Sequence, residues 1–290
     1  MQNHSLPLSI IRVSGDDAIP FLQGQLTQDV NNLNQQWRYT AQCNPQGRVI
    51  AFFMIYELQQ GNDRNIYLIT DNESADATIL HLEKYVMRSQ VNFDKLKYNS
   101  YFIESETNKN ENAEDQLQTT EQSIKLLDDN TKDDSVILTL SYGELFIINP
   151  ALHKEPEKPS NPAQWRSANI DNKLPFLTKK ALGKFTPEAI NLDLLGAVSF
   201  KKGCYTGQEI VARMHYLGKA KKRLFPVKIT GKLEQINVAD NITDKEGKTI
   251  GHLVDFEPNG NALISIKVTQ EITLNQNKKT IQSVNGQLML

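Results

Sequence analysis

The sequence predicts an α+β protein whose last stretch is all β. Two observations carry this. Over roughly the first 220 residues, segments with strand-like alternation of apolar residues are interspersed with segments at helical spacing. From 221 onward, short β-rich runs are separated by turn signals and no helical periodicity is evident, which describes a small barrel or sandwich.

The elements read off in order. Leu8–Val13 is a strand, and Ser14-x-x-Asp17 reads as the cap of a short helix carrying Ala18, Ile19, Phe21 and Leu22, which Pro20 either limits or enters early. Trp37–Cys43 and Arg48–Leu58 flank Asn44-Pro45-Gln46-Gly47, a strong turn signal, and so form a hairpin. Asn65–Thr70 is a further strand. Ala75–Arg88 is an amphipathic helix with Ile79, Leu82, Tyr85 and Val86 inward, and Lys97–Ile103 is a strand. Residues 104–135 are rich in Glu, Asp, Asn, Gln and Thr; they read as an acidic, solvated insertion with one short helix near Ser123–Leu127. Val136–Leu140 and Glu144–Ile148 form a hairpin around Ser141-Tyr142-Gly143. Asn161-Pro162 opens a helix through Trp165 to Ile170, an N-cap followed by proline at the first helical position. Leu224–Thr230, Thr249–Phe256 and Ala262–Val268 are the strands of the last segment.

Composition bounds the function. The chain has 290 residues, 32 Lys+Arg against 34 Asp+Glu, and a net charge of −2, so no global field draws it to nucleic acid. Two cysteines, at 43 and 204, make neither a disulfide framework nor a C-x-x-C knuckle, and no metal site is read. A reducing cytoplasm is the expected location. The N-terminus has no basic region followed by an apolar run, so no secretory leader is expected. No uncharged apolar run approaches ~18 residues, so no membrane partner is expected.

The chemistry concentrates in Lys202-Gly203-Cys204-Tyr205-Thr206-Gly207-Gln208-Glu209. Thr206-x-x-Glu209 is a capping-box pattern ahead of Ile210, Val211, Met214 and Leu217 at helical spacing. Cys204 then stands just before a helix N-terminus, with Lys201 and Lys202 beside it. Such surroundings commonly lower a thiol from its usual value of about 8.5, so Cys204 reads as a reactive thiol. The bland alternative is a small packed residue. Lys201, Lys202, Arg213, Lys219, Lys221, Lys222 and Arg223 make the region basic, fit for an anionic tail or phosphates, or simply a solvated linker. No aromatics interleave with these charges, so direct nucleic-acid binding is not expected.

The octapeptide also resembles the K-G-C-Y-x-G-Q-E signature of YgfZ-type folate-binding proteins, relatives of the glycine-cleavage T-protein. Phe21-Leu22-Gln23-Gly24-Gln25-Leu26-Thr27-Gln28-Asp29-Val30 and Cys43-Asn44-Pro45-Gln46-Gly47-Arg48 are similar to two further blocks of that family, as are Trp165–Asp171 and Phe185–Phe200. The resemblance implies a T-protein-like three-lobed fold: two α+β lobes around a central cavity in 1–220, with the insertion 104–135, and a C-terminal β-barrel in 221–290. It implies a folate-binding accessory protein that supports iron–sulfur-dependent enzymes and tRNA modification, using tetrahydrofolate and Cys204, rather than a standalone enzyme. The rivals are a folate-dependent one-carbon transferase or demethylase, and a plain tRNA-binding module.

The resemblance also nominates residues. Trp165 matches a folate-contacting tryptophan; an indole face can stack on a pterin, though a core anchor reads equally well. Glu188 matches a carboxylate that pairs with the pterin's amide and amino edge, and a solvated glutamate is the alternative. Asp171, Lys202 and Arg213 are further cofactor-binding candidates. T-proteins with aminomethyltransferase activity carry an acidic pair in the second hairpin strand, where this chain has Ala51 and Phe52. Neither can carry a proton, which speaks against that route.

Overall fold

The computed structural model describes residues 4–60, 63–105, 122–127, 133–217, 220–268, 280–284 and 287–289. Its first lobe is a five-stranded antiparallel sheet in the order β2-β3-β4-β1-β5, with β1 Leu8–Ser14, β2 Arg38–Cys43, β3 Val49–Gln60, β4 Asp63–Asp71 and β5 Asn92–Leu96. Strand alternation decides what each face buries. Ala51, Phe53 and Ile55 of β3 face a core closed by α1 (Ala18–Gln25) and α2 (Asn72–Val86). Phe52, Met54 and Tyr56 face the opposite core, shared with the rest of the protein. A strand buried on both faces sits mid-sheet, and β3 does so.

The second lobe is a four-stranded antiparallel sheet, β6-β9-β8-β7, of β6 Asn99–Glu104, β7 Ile124–Leu126, β8 Val136–Leu140 and β9 Gly143–Ile148. Helix α3, Pro162–Asp171, packs beside it. Asn161 caps α3 in a full capping box with Gln164, with Pro162 in the first turn, as the sequence predicts. The Trp37 indole donates to the Thr139 carbonyl at 2.8 Å and ties the two lobes together.

Six strands close the C-terminal barrel in the order β10-β13-β12-β11-β15-β14: β10 Lys222–Gly231, β11 Asn241–Thr243, β12 Thr249–Phe256, β13 Asn261–Lys267, β14 Thr280–Val284 and β15 Gln287–Met289. Antiparallel pairs make up most of it; β10 with β14 and β11 with β15 run parallel. Helix α4, Gln208–Leu217, precedes it. No helix among the described residues is long and apolar enough to cross a membrane.

Four expectations are corrected. The segment near Ser123–Leu127 is strand β7, because Ile124–Leu126 finds a partner in Val136–Leu138. Ser14 does not cap α1; Asp17 takes that position and its carboxylate instead accepts from the Gln90 amide at 2.8 Å. Tyr85 points outward, and Ser74, Ala75 and Thr78 join Leu82 on the buried face of α2. Strand β5 and the short barrel strands β11, β14 and β15 are additional to those expected. Most of the acidic insertion (106–121 and 128–132) lies outside the described residues.

One ion pair joins α3 to the barrel: Arg166 donates to the buried Asp255 of β12. Burial pushes the Asp255 carboxyl up to about 6, against the pull of Arg166. Its folded value lies above the unfolded one, so this group's stabilisation is complete below about pH 4 and is lost as pH rises through about 6. Asp255→Asn is expected to remove that slope. Urea unfolding midpoints from pH 4 to 8 would check it, with the variant's curve the flatter of the two.

Candidate functional site

The signature octapeptide is pinned by a lysine. Helix α1 ends with carbonyls that have no partner within the helix. Lys202 fills that need: Nζ donates to Gln23 O at 2.7 Å, Leu26 O at 2.7 Å and Gln28 O at 2.8 Å. The ammonium also lies 5.2 Å from the centre of the Tyr205 ring. Lys202 is only 9% exposed. Burial pulls its pKa down to about 8, with Asp29 opposing. An ammonium has three hydrogens, and all are taken by main-chain oxygens. Lys202 is thereby a clasp between the N-terminal block and the signature.

Two glycines then let the signature meet the hairpin turn. Gly207 adopts φ +84°, and a Cβ there would sit 2.4 Å from Asn44 O and 3.1 Å from Cys43 Cβ. Gly47 adopts φ +68°, and a Cβ there would strike Ile210 of α4 at 2.8 Å. Both need the left-handed region and the missing side chain. The expected capping box does not form. Glu209 pairs with Arg213 one turn on at 2.9 Å, and Gln208 Oε1 accepts from the Tyr205 amide at 3.3 Å.

Glu188 lies in a tight 3-10 turn, Glu188–Ile190, docked on the barrel. Asn191, in the left-handed conformation, exchanges hydrogen bonds with the Leu224 main chain at 3.0 and 3.1 Å. Ser265 donates to Ala189 O at 2.7 Å. Arg223 donates to Glu188 O at 3.2 Å and to Asp193 at 2.6 Å. The turn's main chain is thus largely engaged, while Glu188 is 3% exposed and neither of its oxygens makes a hydrogen bond of good geometry; its own main-chain N–H and the Thr186 hydroxyl are the polar groups that act on it. Buried carboxylates are ordinarily satisfied, and leaving one bare costs several kcal/mol. Burial raises the Glu188 pKa and Asp193 adds to this; its own main-chain N–H, Arg223 and the Thr186 hydroxyl oppose the rise. Glu188 is felt by two neighbours. Burial, then Glu188, pushes the Cys43 thiol up to about 12. Burial, then Cys43 and Glu188, raises the Tyr205 hydroxyl. Cys43 and Tyr205 therefore lie within electrostatic reach of the carboxylate, which the sequence alone did not indicate.

The remaining candidates are distributed. Cys204 is exposed, between the buried Lys202 and Tyr205. Trp165, 3% exposed, is seated against Phe102 at 4.9 Å, Phe176 at 5.7 Å and Tyr142 at 6.3 Å. Phe176 also touches Phe52, which stacks on Tyr39 at 5.5 Å, so the tryptophan heads a continuous aromatic layer over β2 and β3. Asp171 is the exposed last residue of α3, and Arg213 is exposed on α4. His215 stacks flat on Phe200 at 3.6 Å. Ala51 and Phe52 are buried on opposite faces of β3, as packing residues. Among the described residues no cluster of His, Cys, Asp and Glu could hold a metal.

No family model matches the chain. It is 31% identical over 238 residues to the tRNA-modifying protein YgfZ of Enterobacter sp. (strain 638), covering 76% of this chain and 72% of that protein. It is 31% identical over 230 residues to the protein of that name from Hamiltonella defensa, covering 74% of this chain and 66% of the relative. Its fold is similar to the crystal structure of the glycine cleavage system aminomethyltransferase T from Bartonella henselae, with a TM-score of 0.56 at 16% identity, over 90% of this chain and 76% of that one.

Proposed function

The chain belongs to the YgfZ family of tRNA-modifying proteins, and on that premise we propose that it is a folate-binding accessory protein supporting iron–sulfur-dependent enzymes and tRNA modification. The observation that carries the reading is Glu188, a buried carboxylate neither of whose oxygens makes a well-formed hydrogen bond. A pterin presents an amide N–H beside an amino N–H, and a carboxylate accepts two parallel N–H bonds in that geometry. Glu188 orients the ring by this edge, with Cys43 and Tyr205 beside the carboxylate and Lys202 holding the signature in place. Cys204 is the reactive thiol, presented to solvent where a partner protein can reach it. Tetrahydrofolate, when bound, would supply one-carbon chemistry at N5 and N10. Aminomethyl transfer by the T-protein route does not fit, because Ala51 and Phe52 are core residues with no proton to move.

Titration with tetrahydrofolate, followed by tryptophan fluorescence, tests the pocket. A saturable change is expected in the wild type and a diminished one in Trp165→Phe; a flat wild-type trace would sink the reading. Cys204→Ala is expected to bind tetrahydrofolate as the wild type does and to unfold at the same urea concentration, since the side chain is exposed. It is also expected to lose complementation of a deletion strain. Full complementation would remove the thiol from the mechanism.

A further inference from the structure

Three cationic side chains and an imidazole meet where the hairpin turn touches the barrel. Lys222 of β10 and Lys267 of β13 are direct cross-strand partners. Like charges in that register are destabilising. Lys222 Nζ also donates to His252 Nδ1 at 3.1 Å, from β12. An ammonium only donates, so this imidazole is neutral with its proton on Nε2. Arg48 joins from the hairpin. Its guanidinium donates to Lys184 O, the next residue's carbonyl accepts from Val49 N at 2.8 Å, and the Phe185 ring lies edge-on to His252 at 6.3 Å. Among the described residues no carboxylate pairs with any of the four. Burial, then Lys267 and Arg48, lowers the Lys222 pKa; burial, then Lys222 and Arg48, lowers that of His252. The like charges repel one another, with Lys222, His252 and Lys267 half-buried and Arg48 exposed.

We propose that Arg48, Lys222, His252 and Lys267 form an oxyanion site that takes a phosphate group. Three fixed positive charges and an imidazole that can accept a proton match a phosphate dianion. Lys222 and Lys267 reach it as point charges, Arg48 as a planar donor fork, and His252 as a donor once protonated. The proposal does not depend on the folate reading.

The test follows the His252 ring proton by NMR in the full chain, with His252→Gln assigning its signal among the five histidines. Inorganic phosphate is added against chloride at matched ionic strength. Expected is a saturable displacement of the His252 titration to higher pH, with affinity at least tenfold weaker in Lys222→Gln and Lys267→Gln. Equal responses to phosphate and chloride, or none, overturn the site. A stability readout is independent of the signal. In phosphate-free buffer Lys267→Gln is expected to melt above the wild type, because repulsion is relieved, and phosphate is expected to raise the wild-type midpoint selectively. A variant that melts lower in phosphate-free buffer overturns the proposal. Glycerol phosphate and a short single-stranded RNA run in parallel separate the sources. Saturation by the monoester assigns a phosphorylated metabolite, and saturation by the RNA alone assigns a backbone phosphate.

Discussion

Lys202→Ala is expected to destabilise the protein by roughly 3–6 kcal/mol. The reason is local accounting. Three main-chain oxygens, from Gln23, Leu26 and Gln28, converge on one ammonium at 2.7, 2.7 and 2.8 Å. Removing it strands one buried acceptor and two part-buried ones that water reaches in part, and a buried group left without its partner costs about 1–3 kcal/mol. Lys202→Met keeps the aliphatic stem and loses only the ammonium, so the difference between the two variants isolates packing from hydrogen bonding. Arginine is not expected to rescue, because its planar fork does not offer three converging hydrogens. The measurement is a urea unfolding series at constant slope. A Lys202→Met midpoint equal to wild type would mean that water replaces the ammonium at no cost.

Glu188→Gln is expected to separate stability from binding. The free protein carries a carboxylate that is buried and lacks a well-formed hydrogen bond. Its folded pKa is raised by burial first. Stability from this group is therefore fully present below its unfolded value of about 4.3 and is lost as pH rises through the folded one. The glutamine variant lacks that loss and is expected to be the more stable protein at neutral pH. Its affinity for tetrahydrofolate is expected to fall about 100-fold, since hydrogen bonds to a charged acceptor are worth roughly 1.5–3 kcal/mol each. Calorimetric titration alongside thermal melting checks both signs. A variant that is less stable and binds normally would reassign Glu188 to the fold.

Much of this architecture is legible in residue order because its signals are local. Asn161-Pro162 with Gln164, and the turn Asn44–Gly47, specify their own geometry within a few residues. Ile124–Leu126 does not: three residues cannot show a period, and the strand exists because Val136–Leu138 lies alongside. Strand β5 was hidden for a related reason. It is a mostly exposed edge strand whose Asp94 and Lys95 break the apolar run. At the site, the motif pointed to Cys204 and its neighbours. The work of Lys202 depended on carbonyls some 175 residues earlier in the chain. Glu209 faced a choice between Thr206 and Arg213 that only the helix surface decides. The basic cluster is the extreme case, since Arg48, Lys222, His252 and Lys267 come from four separate strands or turns and share no spacing.

The barrel's ring is completed by a parallel seam in which Lys228 lies opposite Thr280 and Gly231 opposite Ser283. Its first strand thus waits about fifty residues for the neighbour that covers its second edge. On a ribosome, both α+β lobes can emerge and begin packing while that edge is still bare, a template for foreign strands. Nascent chains stalled ahead of residue 280 should be the ones that holdase chaperones capture, and release should follow once the seam has zipped.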